Sequence, residues 1–301
     1  MTSALLGQLA ALLASVGFSL GPTFYTLSGR AIGSRHTLRM RLLLSTLLLM
    51  AWHGLKFGSG YPALTPRAWG TLFLSGAIGL ALADVFLFEA FVRIGPRLSM
   101  LILTLVPVLT TAAAWVMYQE RLSLFQLAAM ALVLGGIAWV VGKGQRAEGP
   151  FAMNPQGLMF AFLAAFLSAV SALMAKDALM FQEMDPMAAN LVRMSGGMVP
   201  LWLWTLIRGH WVDLVHRLRR SPRVLGYLLL GSLAGPVIGM SLQMFAYQTI
   251  PIGLATTLTS LPPILLLPIS RFVFRETFTW HAVAGTVLAV AGVAWLMGLS
   301  V

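Results

Sequence analysis

The chain has no cysteine, which excludes a disulfide framework, a cysteine-held metal and a thiol nucleophile. It is also short of acid, with nine Asp and Glu against twenty Lys and Arg. Charged residues of both signs fill only 10% of its 301 positions, against roughly 25% in an average soluble domain. With 58% hydrophobic residues, a soluble fold would lack the polar surface to cover itself. Catalytic motifs are missing too. There is no G-x-x-x-x-G-K-[ST] loop for nucleotide hydrolysis, no nucleophile elbow and no paired carboxylates suited to hydrolysis. His36, His53, His210, His216 and His281 are scattered near loops without metal-ligand spacing. The expectation is a chain that is no enzyme and needs no metal and no cofactor. The formal charge of +11 would suggest a nucleic-acid partner in a soluble protein. Here the basic residues sit in short connections between apolar runs, where cytoplasmic loops need them.

Runs of spanning length, about 20 mostly apolar residues, lie near 4–26, 38–56, 68–91, 98–118, 123–142, 157–177, 187–207, 224–247, 252–273 and 279–299. The expected fold is therefore an all-α integral membrane protein with ten transmembrane helices. The first run has no basic region before it and reads as a span, not a cleaved signal peptide. Between 209 and 223, Trp211, Leu214, Val215 and Leu218 share one helical face opposite Arg217, Arg219 and Arg220, the pattern of a short helix lying in the headgroup region. Connections after odd-numbered spans hold thirteen Lys and Arg, and those after even-numbered spans hold four: Lys56, Arg67, Arg121 and Lys176. The odd connections should be cytoplasmic, leaving both termini on the non-cytoplasmic side.

The most specific signal is an internal repeat. At an offset of 156, Pro107 falls on Pro263, Glu120 on Glu276, Gly136 on Gly292, and Ala138-Trp139 on Ala294-Trp295. Near the start the offset relaxes to 152, where Arg41 meets Arg193 and Trp52 meets Trp204. Proline, glutamate, glycine and tryptophan matching in one register is far harder to reach by chance than leucine matching leucine. The halves are 1–142 and 157–301, joined by a cytoplasmic linker, 143–156. Five spans is an odd number, so the second half must enter the membrane inverted. Such inverted repeats underlie many secondary transporters.

The segments 107–142 and 262–298 each combine a mid-helix proline, a glutamate at the next turn and a glycine-rich final helix. In this they resemble the two EamA repeats of the drug/metabolite transporter superfamily. Arg41, echoed by Arg193, and the run GLALADVFLFEAF fit as well. Phe18 is a departure, standing where many members have Trp beside Gly. The resemblance implies a ten-helix exporter of amino acids or related metabolites in the cell (inner) membrane, with a central cavity between the halves. The rival readings are a flippase for a lipid carrier or other amphipathic substrate, and a non-transporting sensor or assembly subunit.

Asp84 is the sharpest single residue, because an ionisable group inside a span costs roughly 2.5–3.5 kcal/mol even on insertion scales. It is expected to contact substrate or carry a coupling proton, or else to pair with Arg41 or Arg39. Its repeat mate is Met240. Pro107, Pro262 and Pro263 should bend their helices and free carbonyls. Thr104, Thr110, Thr259 and Ser260 flank them with hydroxyls, and Ser168, Ser171 and Gln243 are further candidates for the transport path. Arg41, Arg193, Glu120 and Glu276 belong to a structural or gating frame, the two glutamates as loop-fixing and capping groups. A small-molecule substrate and the lipid bilayer are the expected partners, with protons as the coupling ion resting on Asp84. Because one chain carries both halves, a monomer suffices.

Overall fold

The apolar runs fold as helices, and no strand occurs among the described residues. The structure, a computed structural model, describes residues 3–143, 155–209, 211–269 and 280–298. Most of the linker 143–156, and the stretch holding Arg271, Arg275 and Glu276, lie outside the described residues.

In the first half, α1 (Ser3–Ile32), α2 (Ser34–Phe57) and α3 (Pro66–Gly76) are followed by a π-helical segment, Ala77–Leu82. Next come α4 (Ala83–Leu103), α5 (Leu105–Tyr118) and α6 (Leu124–Lys143). The second half starts with α7 (Pro155–Phe181) and α8 (Pro186–Ile207), then inserts α9 (Trp211–Arg220). It continues with α10 (Arg223–Ser232), a π-helical segment, Leu233–Gly239, and α11 (Met240–Thr249). Finally come α12 (Ile252–Thr259), α13 (Pro262–Ile269) and α14 (Trp280–Gly298). Among the described residues, five helical stretches are long and apolar enough to cross a membrane: Ser3–Gly29, Pro66–Leu87, Leu124–Val141, Pro155–Phe181 and Arg223–Thr249. Leu105–Tyr118, Ile252–Leu265 and Val283–Gly298 are shorter apolar helices.

The repeat register reaches into the backbone irregularities. The two π-helical segments start 156 positions apart, at Ala77 and Leu233. The break after α4 falls at Thr104, and the mate of Thr104 is Ser260, where α12 ends. Two boundaries depart from the sequence expectation. The third and fourth runs do not separate between 91 and 98, since α4 runs helically through that stretch. The prolines do not kink mid-helix. Pro107 is the third residue of α5, and Pro262 and Pro263 open α13. A proline in a first turn forfeits an N–H that has no intrahelical partner anyway, so it starts a helix instead of bending one.

Large apolar side chains cover the outside as well as the core, and polar ones are buried among them. Leu13, Trp115, Val116, Phe125, Phe162 and Phe166 point outward, while Ser15, Ser75, Thr110, Asn190, Lys176 and Arg193 are buried. Helix pairing follows a two-fold pattern: α2 packs on α8, α5 on α12, α6 on α14, and α1 against α10 and α11 as α7 packs against α3 and α4. The α6–α14 contact depends on glycine. A Cβ on Gly136 would stand 2.6 Å from both the Ala289 nitrogen and the Gly285 oxygen, backbone atoms that cannot step aside. Gly136→Val is therefore expected to drive the two helices apart and lower the unfolding temperature in detergent, measured by a thermal melt. Gly135→Val, where a Cβ meets open space, should leave that temperature nearly unchanged.

On α9, Leu214 is buried with Ile32, Met40, Val224 and Leu228, and Leu218 packs against that cluster. Trp211 and Val215 stay exposed, an apolar edge beside the basic one. Asp213 accepts from Arg217 Nε at 2.9 Å and pairs with His36 Nε2 at 3.0 Å. The bond from Arg217 holds its carboxyl below the usual carboxylate range.

Candidate functional site

The backbone irregularities converge. Between the halves lies a cavity of about 420 Å³ whose wall includes Gly79 and Leu80 of the first π-helical segment and Gly235 and Pro236 of the second. Thr104 and Ser260, the two break residues, line it as well. Each irregularity interrupts the regular i→i−4 ladder, and a cavity is where such backbone is tolerated inside a membrane. Asn190 takes up one of the affected carbonyls, donating from Nδ2 to Pro236 O at 2.8 Å and to Ser241 Oγ at 3.0 Å.

Asp84 follows directly on the first π-helical segment and faces this cavity. Arg41 Nη2 donates to its Oδ2 at 2.8 Å, and both side chains are about a fifth exposed, 24% and 21%. Of the two arginines offered by the sequence as partners, Arg41 makes this bond. The Arg41 guanidinium also stands 5.7 Å from the centre of the Tyr25 ring, close enough for a cation–π contribution.

Arg193 occupies the matching position in the second half and also lines the cavity, with a different environment. Its Nε donates to Ser75 Oγ at 3.1 Å and its Nη2 to Ser171 Oγ at 3.0 Å. The two serines fasten α3 to α7 reciprocally: Ser75 Oγ donates to Ser171 O at 2.7 Å, and Ser171 Oγ to Ser75 O at 2.8 Å. Their hydroxyl protons are thus committed to carbonyls, and their lone pairs are left for the guanidinium.

Of the transport-path candidates, Asp84, Thr104, Ser168, Ser171, Gln243, Thr259, Ser260 and Pro263 all line the cavity. Gln243 Nε2 donates to Thr259 Oγ1 at 3.3 Å. Pro107 does not line it. It is buried, and its carbonyl accepts from Thr110 Oγ1 at 3.1 Å and Thr111 Oγ1 at 2.7 Å. Arg41 and Arg193, assigned by sequence to the frame, are on the cavity wall. Tyr25, Tyr247 and Thr256 line it too, and Ser75 and Asn190 support it from behind. None of these five was selected from sequence, because hydroxyls and rings in apolar helices carry no signal of their direction.

Glu120 is away from the cavity, at an end of the bundle where both halves are tied together. It forms an ion pair with Lys176 and accepts from the Ile252 backbone N–H at 3.0 Å, capping α12 of the other half. Lys176 was counted among loop cations, yet it lies within α7, only 5% exposed, and donates to Ile250 O at 3.1 Å. Around it run Lys56–Asp185 at 2.6 Å, Arg67–Asp177 at 3.7 Å, and two bonds from Thr65 to Gln182 Oε1. Each joins the first half to the second. Glu276, the repeat mate of Glu120, lies outside the described residues.

A profile of the EamA-like transporter family matches residues 5–142 and again residues 155–298. The chain belongs to the EamA-like transporter family. It is a multi-pass membrane protein built of two EamA repeats, and its partners are a small-molecule substrate and the lipid bilayer. No curated protein matches it in sequence. A solved structure described only as "Crystal structure of protein" resembles it over 99% of this chain and 97% of that one. The TM-score is 0.72 at 18% identity, a likeness of fold. In this EamA-like chain, then, the cavity between the repeats is the candidate site for the transported molecule.

Proposed function

We propose that the protein is a secondary transporter, an exporter of amino acids or related small metabolites, working by alternating access between its halves. The observation that carries this reading is the 420 Å³ cavity at the meeting of the two repeats, walled by symmetric helix irregularities. Its volume falls within the range of small-molecule sites. Discontinuous helices at corresponding places in two repeats are the usual construction of a transporter substrate site.

In this reading ten spans, five in each of the inverted halves 1–142 and 157–301, are joined by a cytoplasmic linker, 143–156. The ties through Glu120, Lys56 and Arg67 lie on the side where the basic-loop count places the exterior. Alternating access then requires these ties to part. Asp84 is the one carboxylate on the cavity wall among the described residues, which makes it the proton carrier if export is proton-coupled, in competition with Arg41 for its charge. The location follows as the inner membrane, with both termini outside and one chain as the working unit.

The purified full chain in proteoliposomes should exchange at least one radiolabelled solute in counterflow across a panel of amino acids, nucleosides and cationic drugs. Filling the cavity with Gly235→Trp should stop that exchange. A reconstituted, folded protein that exchanges none of the panel would count against the reading.

A further inference from the structure

The two arginines of the cavity are repeat mates in unequal surroundings. Arg41 has a carboxylate, Asp84. The position matching Asp84 in the second half is Met240, which also faces the cavity. The hydrogen bonds of Arg193 therefore go to neutral partners, and Asp84 acts on it only through space. Of its five N–H groups, those on Nε and Nη2 reach two serine oxygens, while Nη1 is buried and without a hydrogen-bond partner. No carboxylate is in ion-pair contact with Arg193 among the described residues, and the side chain is only 5% exposed. Among the described residues the cavity wall thus holds two guanidiniums and a single carboxylate. A buried guanidinium that keeps its charge and lacks a counter-ion is strongly disfavoured unless something else supplies the negative charge.

We infer that the transported molecule carries an oxyanion, a carboxylate or a phosphate, and that this group docks on Arg193 in place of the counter-ion missing opposite Met240. The inference rests on the transport reading and narrows its substrate class. A guanidinium fork matches both oxyanions in geometry. The paired serines hold the fork by its Nε and Nη2 edge; Nη1 is unpaired but closed over in this conformation, so the oxyanion reaches it when the cavity walls part during transport. In the first half Asp84 fills the corresponding role, so of the two guanidiniums Arg41 has a carboxylate in contact and Arg193 has none. A cationic or uncharged solute of similar size would leave Arg193 uncompensated and should be a poor substrate.

The test uses the full chain in proteoliposomes and in detergent. Counterflow of amino acids is compared with that of their carboxamides, and sugar phosphates with the parent sugars. Acids or phosphates should exchange at least tenfold better than the counterparts that lack the oxyanion, and the carboxylate and phosphate arms tell which oxyanion is carried. Arg193→Gln should collapse that preference to near unity, and Arg193→Lys should retain part of it. A purely structural Arg193 would instead lower both members of each pair together. Met240→Asp places the missing carboxylate inside the cavity and should suppress exchange of the acid more than tenfold while raising thermal stability in detergent. Equal exchange of acid and amide, or unimpaired acid exchange by Met240→Asp, overturns the proposal. If nothing exchanges at all, the transport reading fails on its own. Thermal stabilisation of the detergent-purified protein by the acid and not by its amide would then still establish the oxyanion site, and its absence would remove it.

Discussion

Asp84→Asn is expected to lower the stability of the detergent-purified protein by about 2–4 kcal/mol, read from chemical or thermal unfolding. It is also expected to reduce transport to below a tenth of the parent. Removing one partner of a buried pair leaves the other charge uncompensated, which typically costs ~3–5 kcal/mol. The lower figure applies because Arg41 and Asp84 are each about a fifth exposed to the cavity. The substitution also leaves two guanidiniums facing one cavity with no carboxylate between them. Arg41→Gln combined with Asp84→Asn removes both charges and should recover most of the stability. The pair also separates two roles for Asp84. If it carries a proton, the double variant exchanges solute in counterflow but fails to respond to a pH gradient. Gradient-driven transport by that variant at parental rates would show that Asp84 only balances Arg41.

Glu120→Gln should have the second large effect, on the equilibrium between conformations. Among the described residues three ion pairs tie the halves at this face, but they are not equal in strength. Lys56–Asp185 and Arg67–Asp177 are well exposed on at least one side, with Lys56 at 48% and Arg67 at 61%, and exposed pairs contribute about 0–1 kcal/mol. Lys176 and Glu120 are 6% and 17% exposed, so breaking that pair strands a buried ammonium. Glu120 also caps α12 across the interface through Ile252 N–H, a contact of roughly 1 kcal/mol. The variant should therefore shift the population toward the conformation open at this face. The absence of native cysteine makes the measurement simple. In Met240→Cys, the single thiol on the cavity wall should react with an impermeant maleimide added at this face about 10–100-fold faster once Glu120→Gln is introduced, the range a 1.4–2.8 kcal/mol bias gives. An unchanged labelling rate would mean that the ties do not control access.

Much of this arrangement was legible in the sequence, for a definite reason. In an apolar chain, Pro, Gly, Glu and Trp are rare enough that their recurrence at a fixed spacing identifies the repeat. The same register then locates the mates Thr104 and Ser260, where the helices break, and the π-helical segments at Ala77 and Leu233. Asp84 was visible because a carboxylate in a span must have a reason to be there. Directions were not legible. Pro107 and Pro263 are repeat mates, yet only Pro263 lines the cavity, while Pro107 is buried away from it. Lys176 at the end of an apolar run looks like a loop cation, and only packing against Glu120 and Ile250 shows it buried.

The sequence by itself determined the class of the protein, its duplication and the position of Asp84 within an apolar helix. Those follow from composition and period, which are properties of the chain alone. The tertiary structure decided how the charges are shared. Ser75 lies 118 residues from Arg193, and Asp84 lies 43 from Arg41, so neither partnership has a local signature. Two arginines at matching positions of a repeat look equivalent in sequence. They differ because helix packing delivers a carboxylate to Arg41, whereas Arg193 receives two serines and an open cavity.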